Sequence, residues 1–188
     1  MSRHARTMRL VVPILAVLNA AAATAQEACP PAPDIADGID RLIAEARAAP
    51  DERGGRIAAG GMWELWTQAP DATAQELLDE GMDRRTAFDL EGAVAAFDAL
   101  VAYCPDYAEG YNQRAFANFL REDYAAVLPD LDRALALSPR HVAALAGRGL
   151  TLLALGRRAE GEDAIRAALD LNPWLQERFY IASDGTDL

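Results

Sequence analysis

The 188-residue chain reads as an all-α protein built as a stack of paired helices, and three observations carry that reading. Pro105, Pro139 and Pro173 recur at a fixed interval of 34 residues. The small residues Gly81, Ala115 and Gly149 recur at the same interval. Between these marks the apolar residues fall at steps of three and four, the helical period. A repeat of that length signals units that each bury an apolar face on the next.

Each unit runs helix, turn, helix, proline. The first unit, residues 74–107, holds helices predicted at 75–88 and 91–103. The second, 108–141, holds 109–120 and 124–137, and the third, 142–175, holds 143–155 and 159–171. Breakers separate the helices of each pair: Asp89 and Gly92, Glu122 and Asp123, Gly156 and Arg157. Gly81, Ala115 and Gly149 sit in the first helix of each unit, where a small side chain lets its neighbour approach closely. Ala93 and Phe97 form an alanine–aromatic step in the second helix, answered by Val127 and Leu131 and by Gly161 and Ile165. Pro129 falls early in a second helix. Proline is costly in a helix interior and tolerated in the first turn, so that helix is expected to start late or bend near Val127–Pro129.

Residues 35–73 read as a degenerate leading pair. Its helices are expected at 35–48 and 56–67, with Gly54-Gly55 as the turn and with Trp63 and Trp66 buried on the next unit. Residues 26–34, with Pro30, Pro31 and Pro33, form an extended lead-in. Residues 174–182 read as a capping helix that covers the exposed end of the stack with Trp174, Leu175, Phe179 and Tyr180, and residues 183–188 as a disordered tail.

The ordered set of small, aromatic and proline positions over residues 74–173 resembles the tetratricopeptide-repeat (TPR) family. It departs from the family pattern in places: Leu77 and Leu145 stand where a first-helix aromatic is usual, kept here as Tyr111, and Leu100 replaces a smaller residue. The resemblance implies a right-handed superhelical stack whose first helices line a concave groove. Leu78, Met82, Arg85, Asn112, Phe116, Phe119, Ala146, Leu150 and Leu153 would face it. Such a groove is mostly apolar and suits an amphipathic helix or an extended hydrophobic segment. Whether it stands open or is filled by the chain's own termini is undecided at this level.

The first 25 residues have the parts of a cleavable secretory signal: Arg3, Arg6 and Arg9, an apolar run from Leu10 to Leu18, and small residues ending in Ala23-Thr24-Ala25. Cleavage after Ala25 would leave Gln26 as the new N-terminus. Losing those three arginines takes the formal charge from −11 to −14. A chain that acidic is repelled by nucleic acid and by anionic membrane surfaces, and is drawn to basic or neutral partners. No stretch beyond the signal suits membrane insertion. Arginine is the only basic residue apart from two histidines, and alanine is abundant. That composition points to a GC-rich bacterial source and hence to a periplasm. Cys29 and Cys104 can pair in an oxidising compartment, or Cys104 can be a small hydrophobe at a helix end; sequence leaves both open.

The remaining residues offer little chemistry. After signal removal one histidine is left, His141, read as a solvated residue at a helix start, with two serines, Ser138 and Ser183. Nucleophile elbows, phosphate loops and zinc-ligand spacings do not occur, so neither a metal nor a cofactor is expected. The expectation is a non-catalytic periplasmic scaffold or adaptor that binds a protein or peptide partner through the groove. One rival is a structural or homo-oligomerisation module with the groove covered. The other is a hydrolase using paired carboxylates, for which no pair stands out.

Overall fold

The computed structural model describes residues 28–181. The signal segment, its cleavage point and the tail at 183–188 lie outside the described residues. Eight α-helices form among the described residues, without a strand: α1 (Ala36–Ala48), α2 (Glu52–Trp66), α3 (Ala72–Thr86), α4 (Leu90–Tyr103), α5 (Ala108–Leu120), α6 (Tyr124–Leu137), α7 (Val142–Ala154) and α8 (Arg158–Leu171). Helices α3–α8 are the three repeated pairs, and each packs on the next in chain order. The expected all-α stack of helix pairs is the observed architecture.

The repeat is visible in the chemistry as well as in the helices. A Cβ at Gly81 would overlap Phe97, and one at Gly149 would overlap Ile165, so both first helices lie close against their second helices. The turn inside each pair places one residue in the left-handed region: Phe88 (φ 62°), Glu122 (φ 61°) and Gly156 (φ 74°), each 34 residues from the next. Glycine takes that conformation at no cost, phenylalanine does not. An ion pair repeats too. Arg114 bonds Asp98 at 2.7 Å and Arg148 bonds Asp132 at 2.9 Å, each arginine tying a first helix to the second helix before it. Arg114 also grips Asp130 at 2.6 Å, and these carboxylates hold its guanidinium well above its ordinary pKa.

The helix containing Pro129 does not start late. It begins at Tyr124 after Asp123 and runs through the proline, the first turn being tightened by a bond from Ala126 N–H to the Asp123 carbonyl. Such a tightened turn takes up amide groups that the ordinary helical ladder leaves without partners.

The leading pair departs most from expectation. Gly54-Gly55 is not its turn. Asp51 caps α2 by accepting from Gly54 N–H at 2.9 Å, so the helix starts at Glu52 and both glycines lie inside it. A Cβ at Gly55 would overlap Trp174, which explains a glycine in a helix interior. Nor does the pair stack ahead of α3. It lies along the edge formed by the proline turns. Three residues 34 apart receive it there. The Tyr107 hydroxyl donates to the Trp66 carbonyl at 2.7 Å, the His141 ring stacks on the Trp66 ring at 4.0 Å, and Leu175 packs on the core formed by Ile39, Leu42, Ile43, Met62 and Trp66. At the far end Arg47 donates to the Asp170 carbonyl at 2.6 Å, and Glu52 accepts from Arg178 and Gln176. Arg140 pairs with Asp40 midway. Trp66 is therefore buried on the proline edge against Tyr107 and His141, while Trp63 stays 39% exposed.

A disulfide joins Cys29 to Cys104, fixing the lead-in beside the first proline turn. In the chain-entropy account a closed loop of this length stabilises the fold by about 4 kcal/mol. The expected capping helix at 174–182 is absent as such. A single 3-10 stretch, Gln176–Tyr180, takes its place, with Phe179 and Tyr180 exposed. Its role is filled by α1, which packs on α8. With that face taken, Phe179 and Tyr180 have no core to enter, and a helix so short has little stability of its own in water.

His141 is not a solvated residue. It is fully buried. Its Nδ1 accepts from Ala144 N–H at 3.2 Å, capping α7, so Nδ1 carries no proton. Nε2 lies 2.7 Å from Glu109 Oε2 and is then the donor. Glu109, also buried, accepts further bonds from Asn112 at 3.2 Å and from Gln113. Burying a carboxylate demands such full pairing.

Two consequences are testable. Phe88 is 77% exposed, so Phe88→Gly loses no packing and relieves the left-handed strain; the unfolding free energy should rise by about 1 kcal/mol in a urea titration. His141→Ala removes the α7 cap, the Trp66 stack and one partner of buried Glu109. It should cost about 3 kcal/mol and shift Trp fluorescence to the red, an outcome inconsistent with a solvated histidine.

Candidate functional site

A groove of about 310 Å³ opens on the first helices of the second and third units. Its floor comes from one face of α5 (Asn112, Ala115, Phe116, Phe119) and one face of α7 (Ala143, Ala146, Gly147, Leu150), with Val127 and Leu131 of α6 beneath. Both faces arise from helical spacing: residues 112, 115, 116 and 119 share one side of a helix, as do 143, 146, 147 and 150. Trp63 of α2, Leu175 at the end of the third unit and Glu177 just beyond it also line the groove.

Of the residues expected in the groove, Arg85, Asn112, Phe116, Phe119, Ala146 and Leu150 line it. Leu78, Met82 and Leu153 do not. Leu78 is fully buried among Phe97, Leu100, Cys104 and Tyr107, and Met82 packs on the same cluster. Leu153 faces Gly161 of α8, where a Cβ would come within 2.9 Å of it. The groove thus spans two units, and the first contributes Arg85 alone. Ala115, Val127, Leu131, Ala143 and Gly147 line it without having been expected there, and so do Trp63, Gln113, Thr151, Leu175 and Glu177. Gln113 and Thr151 adjoin residues of the expected stripe. Nothing in the repeat pointed to Trp63, Leu175 or Glu177.

Phe116 is 46% exposed, a large apolar ring turned toward solvent in the groove. The Arg85 guanidinium carbon sits 4.8 Å from that ring's centre, and the same group donates to Gln113 Oε1. Burial holds the Arg85 guanidinium below its ordinary pKa, with the nearby Glu109 charge opposing the shift. Phe119 lies edge-on to Tyr124, ring centres 5.5 Å apart. The arrangement supplies apolar contact, one cation, one carboxylate and a few amide and hydroxyl groups. Among the described residues there is no cluster of three His, Cys, Asp or Glu able to hold a metal, and no helix is long and apolar enough to cross a membrane.

No protein-family model matches the sequence. A TPR repeat-containing protein of Rhizobium etli is 29% identical over 136 residues, covering 72% of this chain and 66% of that protein. The tetratricopeptide repeat protein 36 homolog of Nematostella vectensis is 37% identical over 73 residues, covering 39% of this chain and 40% of that one. The chain therefore spans less than two thirds of the length of these curated relatives. Among solved structures, the TPR2B domain of yeast Sti1, determined as a complex with pHsp70, superposes with a TM-score of 0.53 at 25% identity, covering 54% of this chain and 81% of that domain. The TPR domain of P58(IPK) superposes at 0.54 with 33% identity, covering 58% of this chain and 30% of that one. With its 34-residue period, its three stacked helix pairs and these likenesses in sequence and fold, the chain is a tetratricopeptide-repeat protein.

Proposed function

We propose that the chain is a non-catalytic scaffold or adaptor that holds an apolar segment of a partner protein in the groove of its second and third units. The observation that carries this reading is Phe116, held by α5 at the mouth of an apolar groove and left nearly half exposed. Exposing such a ring forgoes burial worth about 2 kcal/mol, and aromatic residues of this kind anchor protein interfaces. The Sti1 domain, to which the chain is similar, was determined with a pHsp70 partner, in keeping with a stack of this kind presenting a concave surface to a polypeptide.

Phe116→Asp should weaken partner binding about thirty-fold, the effect of losing a central anchor, and leave the thermal melt unchanged because the ring is not in the core. Retained capture in crosslinking experiments on the native cell envelope would remove the groove from consideration.

The same reading places the protein in the periplasm, after removal of the first 25 residues. The arginines at 3, 6 and 9, the apolar run and the Ala-Thr-Ala ending support it, and the Cys29–Cys104 bond suits an oxidising compartment. Mass spectrometry of the periplasmic fraction should find a chain beginning at Gln26. A full-length chain confined to the cytoplasm would contradict the assignment.

A further inference from the structure

We infer that the groove has a charge direction: it takes a segment with an apolar face, an acidic residue at the end over the first unit and a basic residue at the end beyond the third. This rests on the groove being the binding site and adds the chemistry of the occupant. The cation is Arg85, from α3 of the first unit, and the carboxylate is Glu177, from the segment that follows α8. Both line the groove, and the floor between them is mostly apolar.

Neither charge has an ion-pair partner among the described residues. Arg114, Arg148, Arg157 and Arg178 all bond carboxylates. Arg85 instead uses one N–H on the neutral Gln113 and lays its plane over Phe116. A guanidinium has five N–H donors, and no carboxylate lies against this one. Glu109 is the acid whose charge reaches it, but Glu109 is buried and already accepts from His141, Asn112 and Gln113. Half-buried and unpaired, Arg85 gains from an incoming anion that also excludes water. Glu177 makes no ion pair or hydrogen bond among the described residues, although the neighbouring Arg178 is drawn off to Glu52 at 3.1 Å. A polypeptide lying across α5 and α7 therefore meets a free cation at one end and a free carboxylate at the other. A partner of opposite polarity satisfies both, and a partner charged alike at its two ends satisfies one and offends the other.

The test uses three labelled synthetic peptides that share one amphipathic apolar core. One is flanked by Glu and Arg, one by Glu at both ends and one by Arg at both ends. Binding to the mature chain is read by fluorescence anisotropy at low salt. The mature chain's net charge of −14 favours any basic peptide, so each affinity is divided by that for Phe116→Ala, which leaves the net charge unchanged and loses the anchor. The mixed peptide should then bind about five-fold better than either like-charged one, the scale of one exposed charge pair. Glu177→Arg should move the preference to the doubly acidic peptide. Arg85→Gln, which keeps a polar side chain beside Gln113, should erase the distinction between the mixed and doubly basic peptides. The preferences should vanish in about 1 M salt, where charges are screened within a few ångströms. Equal binding of all three peptides, lost in Phe116→Ala, would overturn the charge direction and leave the apolar groove standing. Absence of binding by all three would sink the groove reading and this inference with it.

Discussion

A stack of helix pairs has two ends, and each end exposes a helix face that the next unit would have covered. The two ends of this stack are finished differently. The outer face of α3 carries Glu76, Asp79, Glu80 and Asp83, all exposed, and needs no cover. The last unit is not finished in this way: Leu171, at the end of α8, packs on the core of α1 and α2. The chain therefore carries its leading helix pair to the far end of the stack instead of placing it ahead of α3. The other departures follow from that one placement. The segment after Pro173 does not form a helix because the surface it would cover is taken. Trp66 meets a residue 75 positions away. Trp63, freed from the core, lines the groove.

The groove is thus neither an open concave face nor a filled one. A plain stack would offer the faces of α5 and α7 alone. Here Trp63, Leu175 and Glu177 join Phe116 and Leu150 in the lining. The larger lining raises the apolar area that an occupant can bury. It also makes the site depend on the leading pair. Contacts that hold α1 and α2 on the proline edge, such as Glu52 with Arg178 and Arg47 with the Asp170 carbonyl, help shape the groove without touching its contents.

What the sequence revealed follows from the reach of its signals. Helices α3–α8 were legible because capping residues, small residues and prolines all repeat within each unit. Their ends fall within a few residues of those expected. Arg85, Asn112, Phe116, Phe119 and Leu150 were legible as groove residues because they share a register relative to Gly81, Ala115 and Gly149. Leu78 and Leu153 share that register too, yet they turn to the core, since units at the two ends of a stack have different neighbours from the middle one. The placement of α1 and α2 was beyond reach. It depends on pairings such as Trp66 with His141 and Arg47 with Asp170, and no local periodicity encodes contacts between residues so far apart. His141 misled for the same reason: a helix-start residue after Pro-Arg is ordinarily solvated, and only the arrival of Trp66 buries it.

The three turns along the proline edge are equivalent by the repeat, so a hairpin held there by apolar contact alone could settle at more than one of them. The residues at the equivalent position are Tyr107, His141 and Leu175, three different chemistries. The Trp66 carbonyl needs a hydroxyl, which Tyr107 supplies, and the indole ring needs a flat partner, which His141 supplies at an interplanar angle of 11°. Shifting the hairpin by one unit in either direction would set the indole against a phenol or an aliphatic side chain and leave the carbonyl without its donor. The buried Glu109 makes the choice stricter. It fixes the imidazole through Nε2 while Ala144 N–H fixes Nδ1, so the ring that Trp66 meets has one orientation. The indole N–H of Trp66 finds no acceptor among the described residues. The gain from its stack and burial must outweigh that cost. Polar groups along this edge thus act chiefly on where the hairpin docks. The repeat supplies three similar seats, and the side chains that break its symmetry select one arrangement.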